Sequence, residues 1–197
     1  MYNIIIMLVV AIAFSITMLG PWGFIKNAAN VTESGNIPHF LAYLAVLWGT
    51  SLVIAPGIFI LIARISNRWA GSPVNYRDLA RQLSYIFIPV GIFSWIAFSL
   101  PSVLVNYHYI LVVLSDPLGL GWDILGTADY PFQPFYPEWI PVVQGVLLLS
   151  GLYLGIRHSF KAVTPLINNR TARLKTIIGP AILACIVVNF LLKLYMG

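Results

Sequence analysis

Three histidines and a set of acids concentrated in the connections between apolar stretches are the residues here whose types could do chemistry. His39 opens the second apolar stretch, His108 lies just beyond the third, and Asp116, Asp123 and Asp129 follow His108 in one connection. Imidazole with carboxylate suits copper or zinc, which makes His39 and His108 metal candidates, and a histidine–aspartate pair suits taking protons from a quinol. Two histidines on opposing helices also suit a haem iron, so haem b stays open. The plainer reading is an interfacial histidine bonded to water or headgroups, and no H-x-x-x-H spacing is present. His158, beside Arg157 and Lys161, reads in that plainer way.

The carboxylates carry more local pattern. Asp116 precedes Pro117, a pairing that favours a turn. Asp123 follows Gly119-Leu120-Gly121-Trp122, where glycines permit tight backbone and close approach of a partner or ligand. His39, His108, Asp116, Trp122 and Asp123 form the candidate quinol and proton site, with Trp122 and Tyr109 to pack on the ring. The structural alternative is that Asp116 and Asp123 cap turns, or a short helix at 124–128, through backbone N–H groups.

The elements that must position these residues follow from composition. The chain has 197 residues, 59% hydrophobic and 9% charged, against about 25% charged in a soluble domain. Disorder and a disulfide scaffold are excluded by the apolar content and the single cysteine. A pI near 9.5 would suggest nucleic acid in a soluble domain, but the basic residues are placed as membrane topology is.

Five stretches are long enough to cross a hydrocarbon core, which needs about 20 helical residues: 3–21, 38–63, 82–105, 139–157 and 176–195. The first has no preceding Lys or Arg and no small-x-small cleavage site, and reads as a retained helix. Pro56-Gly57 inside the second and Pro89 and Pro101 on the third predict kinks. Arg64, Arg68, Arg77 and Arg81 precede the third span, and Arg157, Lys161, Arg170, Arg173 and Lys175 precede the fifth. Glu33, Asp116, Asp123, Asp129 and Glu138 fall in the alternate connections. Basic loops stay cytoplasmic, so the N-terminus is expected inside, loops 22–37 and 106–138 outside, and the C-terminus outside, in the cytoplasmic membrane. The four arginines before the third span read as topology determinants meeting anionic lipid, or as docking for an acidic cytoplasmic partner.

The fold expected is an all-α integral membrane bundle of five transmembrane helices, a single domain over 1–197, with a structured extracytoplasmic loop at 106–138. Within that loop, Ile110 to Leu114 is too short to span and reads as an interfacial piece or an extension of the third helix. No charge lies mid-span, which argues against a pump or voltage sensor. The small residues Gly145, Ser150, Gly151 and Gly155 on the fourth span predict close helix packing. Walker loops, nucleophile elbows, zinc H-E-x-x-H motifs and ferredoxin spacings are absent.

The stretch Ser115-Asp116-Pro117-Leu118-Gly119-Leu120-Gly121-Trp122-Asp123-Ile124-Leu125-Gly126-Thr127 resembles a segment in the membrane part of polyferredoxin-like proteins of the NapH and NosR type. Supporting matches are Tyr85-Ile86-Phe87-Ile88-Pro89-Val90-Gly91, Trp95-Ile96-Ala97-Phe98-Ser99 and Pro141-Val142-Val143-Gln144. The similarity is strongest over 79–160, with a weaker match at Met18-Leu19-Gly20-Pro21-Trp22-Gly23. The resemblance implies a membrane module that passes electrons between the quinone pool, or a membrane partner, and redox centres outside. Those proteins hold clusters on cysteine-rich segments. With Cys185 alone, this chain cannot hold an iron–sulfur cluster, which needs about four ligands. Any cluster must belong to a partner.

The expectation is therefore a membrane subunit of a respiratory or other redox complex, binding quinol and docking membrane or extracytoplasmic subunits that carry the cofactors. Its partners would be those subunits and lipid, not nucleic acid, and it would not catalyse alone. The alternatives are a purely structural membrane subunit, and a small permease or metal-handling protein using His39 and His108.

Overall fold

The structure, a computed structural model, describes residues 1–127, 131 and 137–196. Asp129 and the aromatic-proline stretch at 132–136 lie outside the described residues, as does Gly197. The described chain is helical throughout its ordered elements, and five helical segments are long and apolar enough to cross a membrane.

Helix α1 (Tyr2–Leu19) is apolar on nearly all sides and ends at Gly20-Pro21, where proline cannot continue the ladder. Two short helices follow, α2 (Gly23–Ala29) and α3 (Val31–Ser34), neither with a buried residue. Asn30 and Asn36 each accept a backbone N–H at the next helix start, from Glu33 and His39, so asparagine caps set both boundaries. The second span is α4 (Ile37–Gly49), a π-turn over Thr50–Ile54, and α5 (Ala55–Ala70). Pro56 explains the π-turn. Its missing N–H is accommodated by widening the preceding turn, with Ala55 N–H bonding to Thr50 O five residues back.

Amphipathic α6 (Tyr76–Ser84) buries Leu79, Ala80 and Leu83 and starts at an Asn75 cap. Helix α7 (Phe87–Ser115) is followed, beyond a 3₁₀ turn at Pro137–Trp139, by α8 (Ile140–Val163) and then α9 (Arg170–Met196). The third span thus differs from the expected 82–105. Residues 82–84 belong to α6, and the chain turns at Tyr85 and Ile86. The long helix then runs ten residues past Val105, so Tyr107, His108, Tyr109 and the run Ile110–Leu114 are helical and not loop. Nothing breaks the helix until Asp116-Pro117. The expected loop at 106–138 therefore begins at 116. The fourth and fifth helices also run on, to Val163 and back to Arg170.

Glycines set the closest crossings. A Cβ on Gly155 would collide with the backbone carbonyl of Ile86, and one on Gly151 would crowd Phe93 and Pro89 O. Gly145 faces Leu192 and Met196 of α9, and Gly179 faces Ser66 and Ile62 of α5. Of the small residues predicted on the fourth span, Gly145, Gly151 and Gly155 allow close packing within this chain, and Ser150 lies on the outer face. These contacts make α7 and α8 antiparallel, and likewise α8 and α9, and α9 and α5. Helix α1 runs alongside α7, where Trp95 Nε1–H donates to Met7 O at 3.3 Å. It also meets α9, where the hydroxyls of Ser15 and Tyr195 share a 2.7 Å hydrogen bond.

The core lies toward the end that carries the arginines. Phe59 and Phe87 stack edge to face at 5.5 Å, surrounded by Leu79, Leu83, Ile86, Val163 and Ile177, all essentially inaccessible. At the other end α4 has no buried residue. Large apolar side chains are exposed on the outer faces of all five long segments, Val46, Val53, Val146 and Ile186 among them. In water so wide an apolar surface would aggregate, and lipid is the solvent that suits it.

Candidate functional site

The expected site residues fall into two places. Asp116, Trp122 and Asp123 gather at the end of α7, with His108 two turns back on the same helix, while His39 lies on α4. Helices α4 and α7 share no substantial interface. Helix α1 packs on α7 and faces α4, and α4 packs on α2. The sharing of one site by His39 and His108 required the second and third spans to be neighbours at this end, and α1 stands between them.

At the end of α7, residues 116–127 fold back over the last helical turn around buried Ser115. Ser115 Oγ donates to Asp123 Oδ1 at 2.6 Å and accepts the N–H groups of Leu125 and Thr127. Its carbonyl accepts from Ile124 N–H at 3.1 Å. Thr127 Oγ1–H reaches Leu111 O at 2.8 Å, one turn further back. The helix-end carbonyl of Ser115, normally orphaned, is thereby satisfied. Asp116 accepts Leu120 N–H on one carboxylate oxygen and Gly121 N–H on the other. That is the turn-capping arrangement. Gly119, Gly121 and Gly126 all take positive φ, 66°, 78° and 68°, which side chains with a Cβ resist. No helix forms over the described part of 124–128. The motif thus builds a compact cap, and its apolar side chains Leu118, Leu120, Trp122, Ile124 and Leu125 all point outward.

His108 is buried on α7, 1% exposed, with the Tyr109 ring 4.0 Å from its own, centroid to centroid. Tyr109 and Trp122 are both about half exposed. His158 is exposed, its ring edge-on to Tyr85 at 6.1 Å. Among the described residues no three of the histidine, cysteine and acidic side chains come together to hold a metal ion.

One cavity of ligand size involves His39. A largely apolar space of about 460 Å³ lies between α1, α2 and α4, walled by Val9, Ile12, Ile16, Phe24, Val46 and Leu47. Ligand pockets are typically about 300–1,000 Å³, apolar with a few polar groups. Here the polar groups are Thr17, whose hydroxyl shares a 3.2 Å hydrogen bond with the Tyr43 hydroxyl, and His39 one turn before Tyr43. Thr50, first residue of the π-turn, lines it as well. π-Turns inside helices recur at functional sites. Thr17 and Tyr43 were not among the expected site residues. The His39-x-x-x-Tyr43 spacing, which puts both on one helical face, was the available signal.

Arg64, Arg68, Arg77 and Arg81 are all exposed at the other end of the bundle. Arg64 and Arg77 both lie against the Tyr76 ring, 5.6 and 5.9 Å from its centroid, and Arg81 pairs with Asp78 at 3.6 Å. No family model matches the chain, and neither a curated protein nor a solved structure matches it.

Proposed function

We propose that this chain is a non-catalytic membrane subunit of a redox complex that holds a quinol in the cavity between α1, α2 and α4. In this reading the protein sits in the cytoplasmic membrane with its arginine-rich end inside and the cavity toward the outer face, following the distribution of basic residues. One observation carries the proposal: an apolar cavity of ligand size whose few polar groups are gathered at one place, His39 and Tyr43 on adjoining turns of α4 and Thr17 facing Tyr43 from α1. A quinol needs that combination, apolar walls for ring and tail and hydrogen-bonding groups for its two oxygens. Oxidation of the bound quinol releases two electrons and two protons. The electrons would pass to cofactors on partner subunits, and the two protons would leave one after the other through His39, which is exposed. The outward-facing cap at 116–127, with Trp122 and its neighbouring leucines, is the surface offered to an outer partner. Its Asp116 and Asp123 serve the cap, so the quinol role moves from them to Tyr43 and Thr17.

The test is purification in mild detergent, with copurifying proteins, visible spectrum and extractable quinone read from one sample. Quinone bound to the wild type and reduced about fivefold or more in Tyr43→Phe and His39→Ala, as loss of a hydrogen bond to a desolvated ligand predicts, supports the reading. A Soret band on the isolated chain would move the cofactor assignment to haem. A colourless, quinone-free protein that travels alone overturns the proposal.

A further inference from the structure

A second pocket lies at the arginine-bearing end, between the start of α1, α5 and α6, with a volume of about 560 Å³. Tyr2, Ile60, Tyr76, Arg77, Arg81 and Tyr85 line it. Its charge is unbalanced. Arg64 and Arg77 crowd the single Tyr76 ring, and Arg77 Nε–H donates to the Tyr76 hydroxyl at 3.3 Å. The one ion pair among the described residues is Arg81–Asp78, an exposed contact at 3.6 Å that adds little attraction. Guanidinium groups held this way on an aromatic face are oriented before any ligand arrives. Arg77 and Arg81 both line the pocket, with Arg64 just outside it on the Tyr76 ring, and among the described residues the one carboxylate paired with any of them is Asp78, so the surplus positive charge calls for an anion. Planar guanidinium forks match phosphate oxygens, and Ile60 gives the pocket an apolar wall within the span.

We propose that this pocket binds one anionic glycerophospholipid, its phosphate between Arg77 and Arg81 and an acyl chain against Ile60. Basic pockets at the cytoplasmic ends of membrane helices take such headgroups, and Tyr2, Tyr76 and Tyr85 fit the interfacial depth at which that headgroup lies. The site is a discrete one, distinct from the general attraction of a basic loop for an acidic leaflet. It rests on the membrane-spanning part of the proposed function and is independent of the quinol cavity, so either can fail without the other.

The experiment is native mass spectrometry of the chain released from detergent micelles, titrated with dioleoylphosphatidylglycerol and, separately, dioleoylphosphatidylcholine. One phosphatidylglycerol should be retained in preference to phosphatidylcholine. The double variant Arg77→Gln/Arg81→Gln should weaken retention about tenfold or more. Ile60→Trp, which fills the apolar wall and leaves every charge in place, should weaken it comparably. Lys161→Gln/Arg170→Gln, with the same change of net charge at the same end of the bundle, should leave it within about twofold. Equal retention of the two lipids, an equal loss in the Lys161/Arg170 pair, or no effect of Ile60→Trp would overturn the discrete site. Displacement of the lipid by glycerol phosphate or by polyglutamate would overturn the assignment to lipid, in favour of a free phosphate or an acidic protein segment.

Discussion

Gln144 of α8 donates its side-chain N–H to the backbone carbonyl of Ala97 in α7, at 2.7 Å. Ala97 is the residue four before Pro101, whose ring nitrogen has no hydrogen to give that carbonyl. A side chain on the neighbouring helix supplies the missing donor, and both groups are buried. Orphaned backbone carbonyls inside a membrane are met in this way by neighbouring helices.

Gln144→Leu should lower the thermal stability of the detergent-solubilised protein by about 1–2 kcal/mol. In a Pro101→Ala background, where the backbone N–H returns, the same change should cost much less. The coupling is read from the double-mutant cycle, and equal costs in the two backgrounds would show that Gln144 does not serve the proline gap.

Glycine substitutions should divide by place. Gly155→Ala drives a methyl group into the carbonyl of Ile86 and should destabilise by about 1–3 kcal/mol. Gly57→Ala meets nothing within 4 Å and should be neutral or stabilising by up to about 1 kcal/mol. Unfolding by denaturant in detergent reads both, and an unaffected Gly155→Ala would mean that α7 and α8 are further apart than described.

Ser115→Ala removes the hydroxyl that holds Asp123 and receives two backbone N–H groups. Hydrogen exchange at Leu125 and Thr127 should accelerate by about tenfold, the loss of roughly one buried hydrogen bond, with no change at α8 or α9. Gly121→Ala, at φ 78°, should open the same cap, at a cost of about 1 kcal/mol.

Tyr195→Phe deletes the hydroxyl bridge to Ser15 and should cost about 0.6–1.7 kcal/mol, measured by thermal unfolding. Ser15→Ala should cost at least as much, because it removes the same bridge together with the bond from Ser15 Oγ to Ala11 O, and leaves the Tyr195 hydroxyl buried without its partner.

Much of this architecture is legible before any coordinates are known, and the gaps have physical causes. Five spans follow from length and apolarity alone. The far end of α7 is less legible: Pro101 and the polar residues Asn106 to His108 interrupt the apolar run, and Ile110–Leu114 reads equally as an interfacial piece or as an extension of the helix. A donor from another helix cancels that signal, and Gln144 does not advertise its target. The break at Tyr85 and Ile86 carries neither glycine nor proline. Pro56 announced a distortion, but its form as a π-turn depends on how the helix repacks. The turn at Asp116 was readable from Asp-Pro and the spaced glycines. Whether His39 and His108 meet depends on which helices are neighbours, and a single sequence does not encode that in any local pattern. Thr17 carries no local signal, because one threonine in an apolar run is equally at home bonding back to its own helix, as it also does to Ala13 O.

The π-turn at Thr50 divides the second span into unequal partners. Below it, α5 contributes Phe59 and Ala63 to the core, and above it α4 contributes no buried residue. The α4 wall of the cavity therefore stands apart from the core, whereas its α1 wall, Val9 and Ile12, packs against it. Substitutions along Ala42, Tyr43, Val46 and Leu47 can remodel what the cavity accepts while leaving the interlocked half of the bundle untouched. If the cavity holds a ligand as proposed, selection could tune its α4 side with little penalty in folding, a latitude that proteins whose binding sites are cut into their cores do not have.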